Sequence, residues 1–435
     1  MTKNLDYDKK PLVGFFPLTY NLAETGRAIL VAKRYVEIGG NVVFFSHRGR
    51  YDYLIKKFGF KLKHIKPFYN KKIIDEMREI FRREKKGIIF KESFLRESVK
   101  EEIKTYNKTG IKLIVSFVNT SSHLSARIVK IPVICIAPES GTFYLSIPDN
   151  YENKLTYYLI PQFIKTRILN WLFGKDRKSL KPFNKIIKDY NSESFKTSIE
   201  AAYGDVTLST NFLELINIFP KQQKLPDENY TGIILLDELF QYIFSDFEKQ
   251  KINDKIKNHL NSKEKSIMLS MGSSGDKKLF IKLLKILNKT PHRIVCINSN
   301  ILDENEIPSL NENILFLNHI PSIFETNKKV DLSIIHGGQG TVYNAAYAGK
   351  PIIGFPMQFE QHLNLEKIVG HGSGVMLSRK FFNEKKILQA INDILTNYDK
   401  FLLNAYKLSE KLSKSNGDIA AARRINEIMN KLTLN

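Results

Sequence analysis

Short apolar runs alternate with stretches of helical spacing along both halves of the chain, and this pattern restricts the fold more tightly than any other feature. Residues 11–17 (PLVGFFP) form one such run, ending at Pro17. Residues 24–38 follow with Ile29, Leu30, Tyr35, Val36 and Ile38 at helical spacing, and Gly39-Gly40 stops the helix. NVVFFS (41–46) is the next strand, and LIVSFV (113–118), SSHLSARIV and PVICIA (132–137) repeat strand, helix, strand. VTLST (206–210) and GIILL (232–236) also read as strands. The second half restarts with SIMLSMG (266–272), a helix over 277–288, and strands at 293–298, 313–318, 330–335 and 351–356. Helices are predicted at 341–349, 362–370 and 384–396, with a last amphipathic stretch over 399–432. Strands without a polar face, separated by helices, belong in a parallel sheet covered on both sides. At about 150 residues per domain, 435 residues make two to three domains. The expected class is α/β, with two doubly wound Rossmann-like domains facing a central cleft. The polar stretch after residue 236 reads as a linker leading into a surface helix.

The composition narrows the partners. The 67 Lys and Arg against 45 Asp and Glu leave +22, which favours anionic partners: nucleic acid, an anionic membrane surface or phosphorylated small molecules. Nucleic acid has only the charge in its favour, since no zinc-finger or RNA-recognition signature accompanies it. Cys135 and Cys296 sit far apart in apolar runs and read as buried free thiols, so neither a disulfide framework nor a cysteine-based zinc site is expected. The N-terminal residues lack a signal-peptide core and no run reaches the length of a membrane span. The expectation is a cytoplasmic protein able to meet the inner membrane face as a peripheral one.

The segment 330–380 carries the chemistry. A strand runs into His336 and the loop Gly337-Gly338-Gln339-Gly340-Thr341, and a helix follows. Glycines admit close backbone approach, and the N–H groups and positive end of the helix favour a phosphate. His336 and Thr341 are placed to bond a diphosphate. The alternative is a tight strand-to-helix turn around a buried histidine. Further on stand Glu360-Gln361 and Asn364, an acid and amides suited to adjacent sugar hydroxyls. Alone, that trio also reads as a solvated helix cap.

In order and spacing, HGGQGT, GKPIIGFP, Glu360-Gln361 and Asn364 resemble the donor motif of the family 1 UDP-glycosyltransferases, HGGxGTxxEAxxxGxPxxxxPxxxxQxxN. The resemblance implies a GT-B fold and inverting transfer from a nucleotide sugar, with no cofactor. It implies an acceptor-binding domain over 1–236, a linker over 237–262, a donor-binding domain over 263–400 and a C-terminal helix, 401–435, returning to the first domain. His336 and Thr341, with the backbone of Gly338 and Gly340, would bind the diphosphate. Glu360 and Gln361 would hold the sugar. Ser273 and Ser274 would contact phosphates or line the cleft, His319 would cover the base and Ile320 would offer its backbone to the base edge.

The sequence departs from the motif in three places. Asn344 stands where a glutamate usually holds the ribose hydroxyls. His319 and Ser322 replace a tryptophan and a glutamine, so uracil specificity does not follow from the motif. Thirdly, the histidine that usually removes the acceptor proton is missing from PLTYNLAETGRA, and its supporting aspartate is missing from Ser116-Phe117-Val118-Asn119. Aligning the first helix puts Glu24 at the histidine position. Buried, it would serve as base; as a helix-capping acid it would not. An acceptor that is already an anion would need no base. His47 and His123 read as surface or loop residues.

Residues 155–185 mix Lys165, Arg167 and Lys175 with Trp171, Phe, Tyr and Leu. This suits an anionic membrane interface, an acceptor-pocket wall or core packing with snorkelling lysines. The expected partners are a nucleotide-sugar donor, in the first instance a UDP-sugar, and a lipid-like or small apolar acceptor. A UDP-GlcNAc 2-epimerase-like enzyme and a non-catalytic nucleotide-sugar-binding protein are the alternatives.

Overall fold

The computed structural model describes residues 11–81, 91–117, 119–138, 164, 177–212, 225–272, 275–357, 359–378, 383–414 and 416–434. The predicted Trp171, Lys165, Arg167 and Lys175 surface, Ser273 and Ser274 lie outside the described residues.

Twelve strands form two six-stranded sheets. The first comprises β1 (Leu12–Pro17), β2 (Asn41–Ser46), β3 (Leu62–His64), β4 (Leu113–Phe117), β5 (Val133–Ala137) and β6 (Val206–Ser209), in the order β3-β2-β1-β4-β5-β6. The second comprises β7 (Ser266–Ser270), β8 (Arg293–Ile297), β9 (Ile314–Leu317), β10 (Leu332–Ile335), β11 (Ile352–Gly354) and β12 (Gly374–Met376), in the order β12-β11-β10-β7-β8-β9. Every pairing is parallel. The two domains therefore repeat one doubly wound topology. The order reverses between β1 and β4 in one and between β7 and β10 in the other, and ligands of such sheets bind at the carboxyl ends of the strands at that reversal.

The helices used below are α1 (Leu22–Glu37), α2 (Glu92–Thr109), α3 (Thr120–Ile128), α4 (Asp237–Ile243), α5 (Asp246–Leu260), α6 (Lys277–Leu287), α7 (Ile323–Lys329), α8 (Gln339–Tyr347), α9 (Phe359–Gly370), α10 (Glu384–Thr396), α11 (Tyr398–Leu412) and α12 (Gly417–Leu434). Asn21 starts α1 by accepting from the Ala23 amide, and Gly39, at φ +83°, ends its last turn. Helix α1 buries Ala28–Ala32 and Tyr35 against Val13, Phe15, Phe44 and Val115. In the second domain α6 and α10 bury Phe280, Leu283, Ile387 and Ile391 on Ile267, Leu269 and Ile334.

GIILL is not a strand. Thr231 and Gly232 donate to the backbone of Ser209 and Asn211, and residues 231–236 run on without a ladder. Ile234 and Leu236 pack into the first domain, while Ile233 and Leu235 pack into the second. The alternation is real, but its two faces are two domain cores rather than two faces of one sheet. Residues 237–262, expected as a linker, hold α4 and α5, and Ile256 of α5 packs on Met268 and Val295 of the second sheet. The last amphipathic stretch is two helices. Leu408 and Leu412 of α11 belong to the second domain's core, whereas Ala421, Ala422, Ile425 and Met429 of α12 pack beside α1. Arg34 of α1 donates to Asp418 at 2.7 Å. The edge strands β3 and β12 and the helix α2 have no counterpart in the sequence reading, because each edge strand is three residues long and α2 is dominated by charged residues.

Candidate functional site

The carboxyl end of β10 leads into His336 and the glycine loop. A Cβ on Gly272 would stand 2.5 Å from His336 Cε1, and one on Gly338 would stand 2.4 Å from Nε2. The two glycines thus form the slot in which the ring lies. Gly337 has φ +93°, and a Cβ there would meet the Gln361 carbonyl at 2.7 Å, so both backbone and space require glycine. Burial lowers the His336 pKa to about 4, against a backbone hydrogen bond with Ser270 that works upward. The ring is therefore neutral at pH 7. Thr341 Oγ1 lies 3.4 Å from His336 Nδ1 and donates to the Gly338 carbonyl at 3.0 Å.

No side chain caps α8. Gly340 is exposed while Gly337, Gln339 and Thr341 around it are buried, and a Cβ on it would face open space. The helix start is thus left open, as an anion site requires. Asn344 turns its Nδ2 back to the Gly340 carbonyl at 2.6 Å, leaving Oδ1 buried and without a partner.

Helix α9 brings Glu360, Gln361 and Asn364 to the same loop. Asn364 donates to the Gly337 carbonyl at 3.1 Å and also bonds Glu360. Gln361 is buried and its Oε1 accepts from the Met357 amide at 2.8 Å, so part of its polarity holds the loop after β11. His319 is exposed, with Nε2 3.1 Å from Asn300 Nδ2, while burial and the Arg50 charge lower its pKa. Ile320 beside it is core, packed with Ile256 and Val295. Ser322 caps α7 and donates to Asp237 at 2.5 Å.

From the first domain, the start of α1 reaches this site. Glu24 is not the helix cap, since Asn21 holds that role. Its Oε1 accepts from Arg27 Nη1 at 3.1 Å, and its Oε2 is buried without a partner. Burial raises the Glu24 pKa; the Arg27 charge opposes this and Glu360 adds to it. Burial likewise raises Glu360, against Arg27 and Asn364. The Arg27 charge thus works downward on both carboxylates, which come from opposite domains, while Glu360 raises Glu24.

Sequence reasoning missed the residues that join the halves. Arg27 Nη2 donates to Gln339 Oε1 at 2.7 Å. Gln339 Nε2 donates to the Thr210 carbonyl at 2.7 Å, and Thr210 Oγ1 donates back to Oε1 at 3.2 Å. All three are buried. Gln339 occupies the unspecified position of HGGxGT, so the motif carries no signal for it. An arginine on the apolar side of α1, three residues after Glu24, was the available clue.

The two histidines read as surface residues are both buried. His47 Nε2 lies 2.9 Å from Glu102 Oε1, and its Nδ1 faces the carbonyls of Ile65 and Pro67. Ser121 and Ser125 of α3 complete the shell of Glu102. His123 bonds the Ala201 carbonyl, and burial lowers its pKa to about 4. Their polar side chains are sunk because they meet partners from distant elements. Both cysteines are buried and neither forms a disulfide.

Residues 247–421 match the glycosyltransferase family 28 C-terminal domain, a different family number from the one resembled in the sequence. A PGL/p-HBAD biosynthesis glycosyltransferase of Mycobacterium tuberculosis is 26% identical over 33% of this chain, and the match spans 32% of that protein's length. A PGL/p-HBAD biosynthesis rhamnosyltransferase of Mycobacterium bovis is 21% identical over 69% of this chain and 64% of its own. The solved structure of the spinosyn forosaminyltransferase SpnP superposes over 97% of this chain and 99% of that one, with a TM-score of 0.65 at 12% identity. Two parallel six-stranded sheets of one topology, opposed across a cleft and followed by a helix returning to the first, make this a GT-B protein whose second half matches the family 28 glycosyltransferase C-terminal domain.

Proposed function

We propose that the protein is an inverting glycosyltransferase that moves a sugar from a nucleoside diphosphate sugar, in the first instance a UDP-sugar, to a hydroxyl of a lipid-like or small apolar acceptor. The observation that carries this reading is that Glu24, with Oε2 buried and unpartnered, is held by Arg27, which also bonds Gln339 at the open start of α8. In this reading the diphosphate sits at α8, where N–H groups and the helix dipole take up the charge of the leaving group. Glu360 and Asn364 hold sugar hydroxyls. Glu24 Oε2 receives the proton as the acceptor O–H bond breaks and its oxygen bonds the anomeric carbon, while the bond to phosphate breaks and its electron pair leaves with the diphosphate.

In this reading the acceptor enters at the carboxyl ends of β1, β2 and β4, over the buried apolar cluster of Leu18, Tyr20, Tyr69 and Leu124. This supports an apolar acceptor, and the +22 charge supports peripheral contact with an anionic membrane at the cytoplasmic face. No helix among the described residues is long and apolar enough to cross a membrane. The test has two steps. Thermal unfolding against a panel of nucleotide sugars should show protection by a UDP-sugar above that by UMP. Labelled sugar from that donor should then pass to a lipid extract. Protection by no nucleotide sugar would overturn the reading, and co-sedimentation with anionic vesicles at low salt tests the membrane part.

A further inference from the structure

The base assigned above lacks the partner that such a base needs, and the cleft supplies an unusual one. Arg27 is 7% exposed and anchored on two sides, to Glu24 Oε1 at 3.1 Å in its own helix and to Gln339 Oε1 at 2.7 Å in the opposite domain. Gln339 is fixed in turn by both polar groups of Thr210. One carboxylate oxygen is therefore occupied and the other, buried Oε2, is left over. A guanidinium is a planar fork, so it can hold both anchors at once; an ammonium cannot do so with the same directions.

We propose that Arg27 is the positioning residue of the proton-transfer step, its fork fixing Glu24 Oε1 so that Oε2 is presented for the acceptor proton, and its second arm tying that geometry to engagement of the two domains through Gln339. The inference rests on the glycosyltransferase reading. It exchanges a neutral base steadied by an acid for an acid base steadied by a cation. The charged groups acting on Glu24 are Arg27 of its own helix and Glu360 of α9, and the first opposes the second. Removing Arg27 should leave two coupled carboxylates with no neutralising charge, and Glu24 should then hold its proton to higher pH.

Infrared difference spectroscopy of protein carrying ¹³C-labelled glutamate reads this without a substrate, with Glu24→Gln identifying the Glu24 carboxyl band. In Arg27→Gln the midpoint should move upward by about one pH unit or more, the scale of a carboxylate losing an adjacent arginine. Arg27→Lys, which keeps the charge, should stay near the wild-type midpoint. Gln339→Leu keeps the guanidinium but removes its cross-domain anchor, so it should move the midpoint the same way by less. An unmoved midpoint in Arg27→Gln overturns the proposal, and an unmoved midpoint in Gln339→Leu overturns its cross-domain part. Should Arg27→Gln not fold, Gln339→Leu carries the test, and its unmoved midpoint then overturns the proposal. Undiminished sugar transfer by Glu24→Gln would instead remove the base assignment, which the titration does not address.

Discussion

The two domains share a strand order, yet the strand ends that meet between them, of β10 in the second and β1 in the first, have opposite characters. After β10 the second domain has a loop of glycines, a neutral buried histidine and an uncapped helix start. After β1 the first domain has a capped helix start with Glu24 and Arg27 in its first turns. The β10 loop itself offers N–H groups, and its nearby side-chain charge, Glu360, comes from α9; the other lip carries its charge on the helix itself, whose start is capped by Asn21. The comparison teaches that topology fixes where a site lies, at the reversal of strand order, while the loop residues decide what it binds. In the proposed reading an anion-holding lip faces a proton-accepting one.

The sharpest way to break this contrast is Glu24→Gln. Turnover of the protecting UDP-sugar should fall by about 10²–10⁴, the range of general base catalysis, with UDP affinity unchanged. Equal losses in turnover and UDP affinity would place Glu24 on the nucleotide side. Next in size, His336→Ala should weaken UDP binding by about 1.5–3 kcal/mol, the scale of a hydrogen bond to a charged group. Calorimetry giving equal affinities would confine His336 to packing the glycine slot. Gln339→Leu should lower unfolding stability by about 1–3 kcal/mol, because Arg27 and Thr210 lose a buried partner. Denaturant unfolding with no change would mean that the Gln339 bridge adds nothing to the apolar contacts and the Tyr343–Asn211 hydrogen bond between the halves.

The smallest effect sharpens the electrostatic side. Glu24 and Glu360 have pKa values raised above 4.5 by burial, so between 4.5 and those values the folded chain binds more protons than the unfolded one. Stability therefore falls as pH rises through this window, and the cost is fully present above the raised values. Glu24→Gln should raise Tm at pH values above the window, with the gain fading as pH falls through it towards 4.5. A gain of the same size at acid pH would locate the effect in something other than the ionised carboxylate.

Much of the second lip was legible in the sequence. A histidine, a glycine loop and a helix at fixed spacing are local, and their geometry follows from φ freedom and helix chemistry over a few residues. The strand pattern was equally local, and each central strand lies within a residue or two of its predicted range. Gln361 was read as a sugar ligand, while the fold also employs its Oε1 on the Met357 amide, a contact that spacing does not foresee.

What the sequence determined by itself was the fold class, the alternation of elements, the phosphate-type loop and the absence of the expected histidine. All are set by neighbours along the chain. Only the tertiary structure decided that GIILL serves two cores, that His47 and His123 are buried, that Glu24 leaves the capping to Asn21, and that Arg27 meets Gln339. The contacts that bury those side chains join elements far apart in sequence, by 312 residues for Arg27 and Gln339. Burial and Coulomb interaction depend on separation in space, and no periodicity in the chain records it.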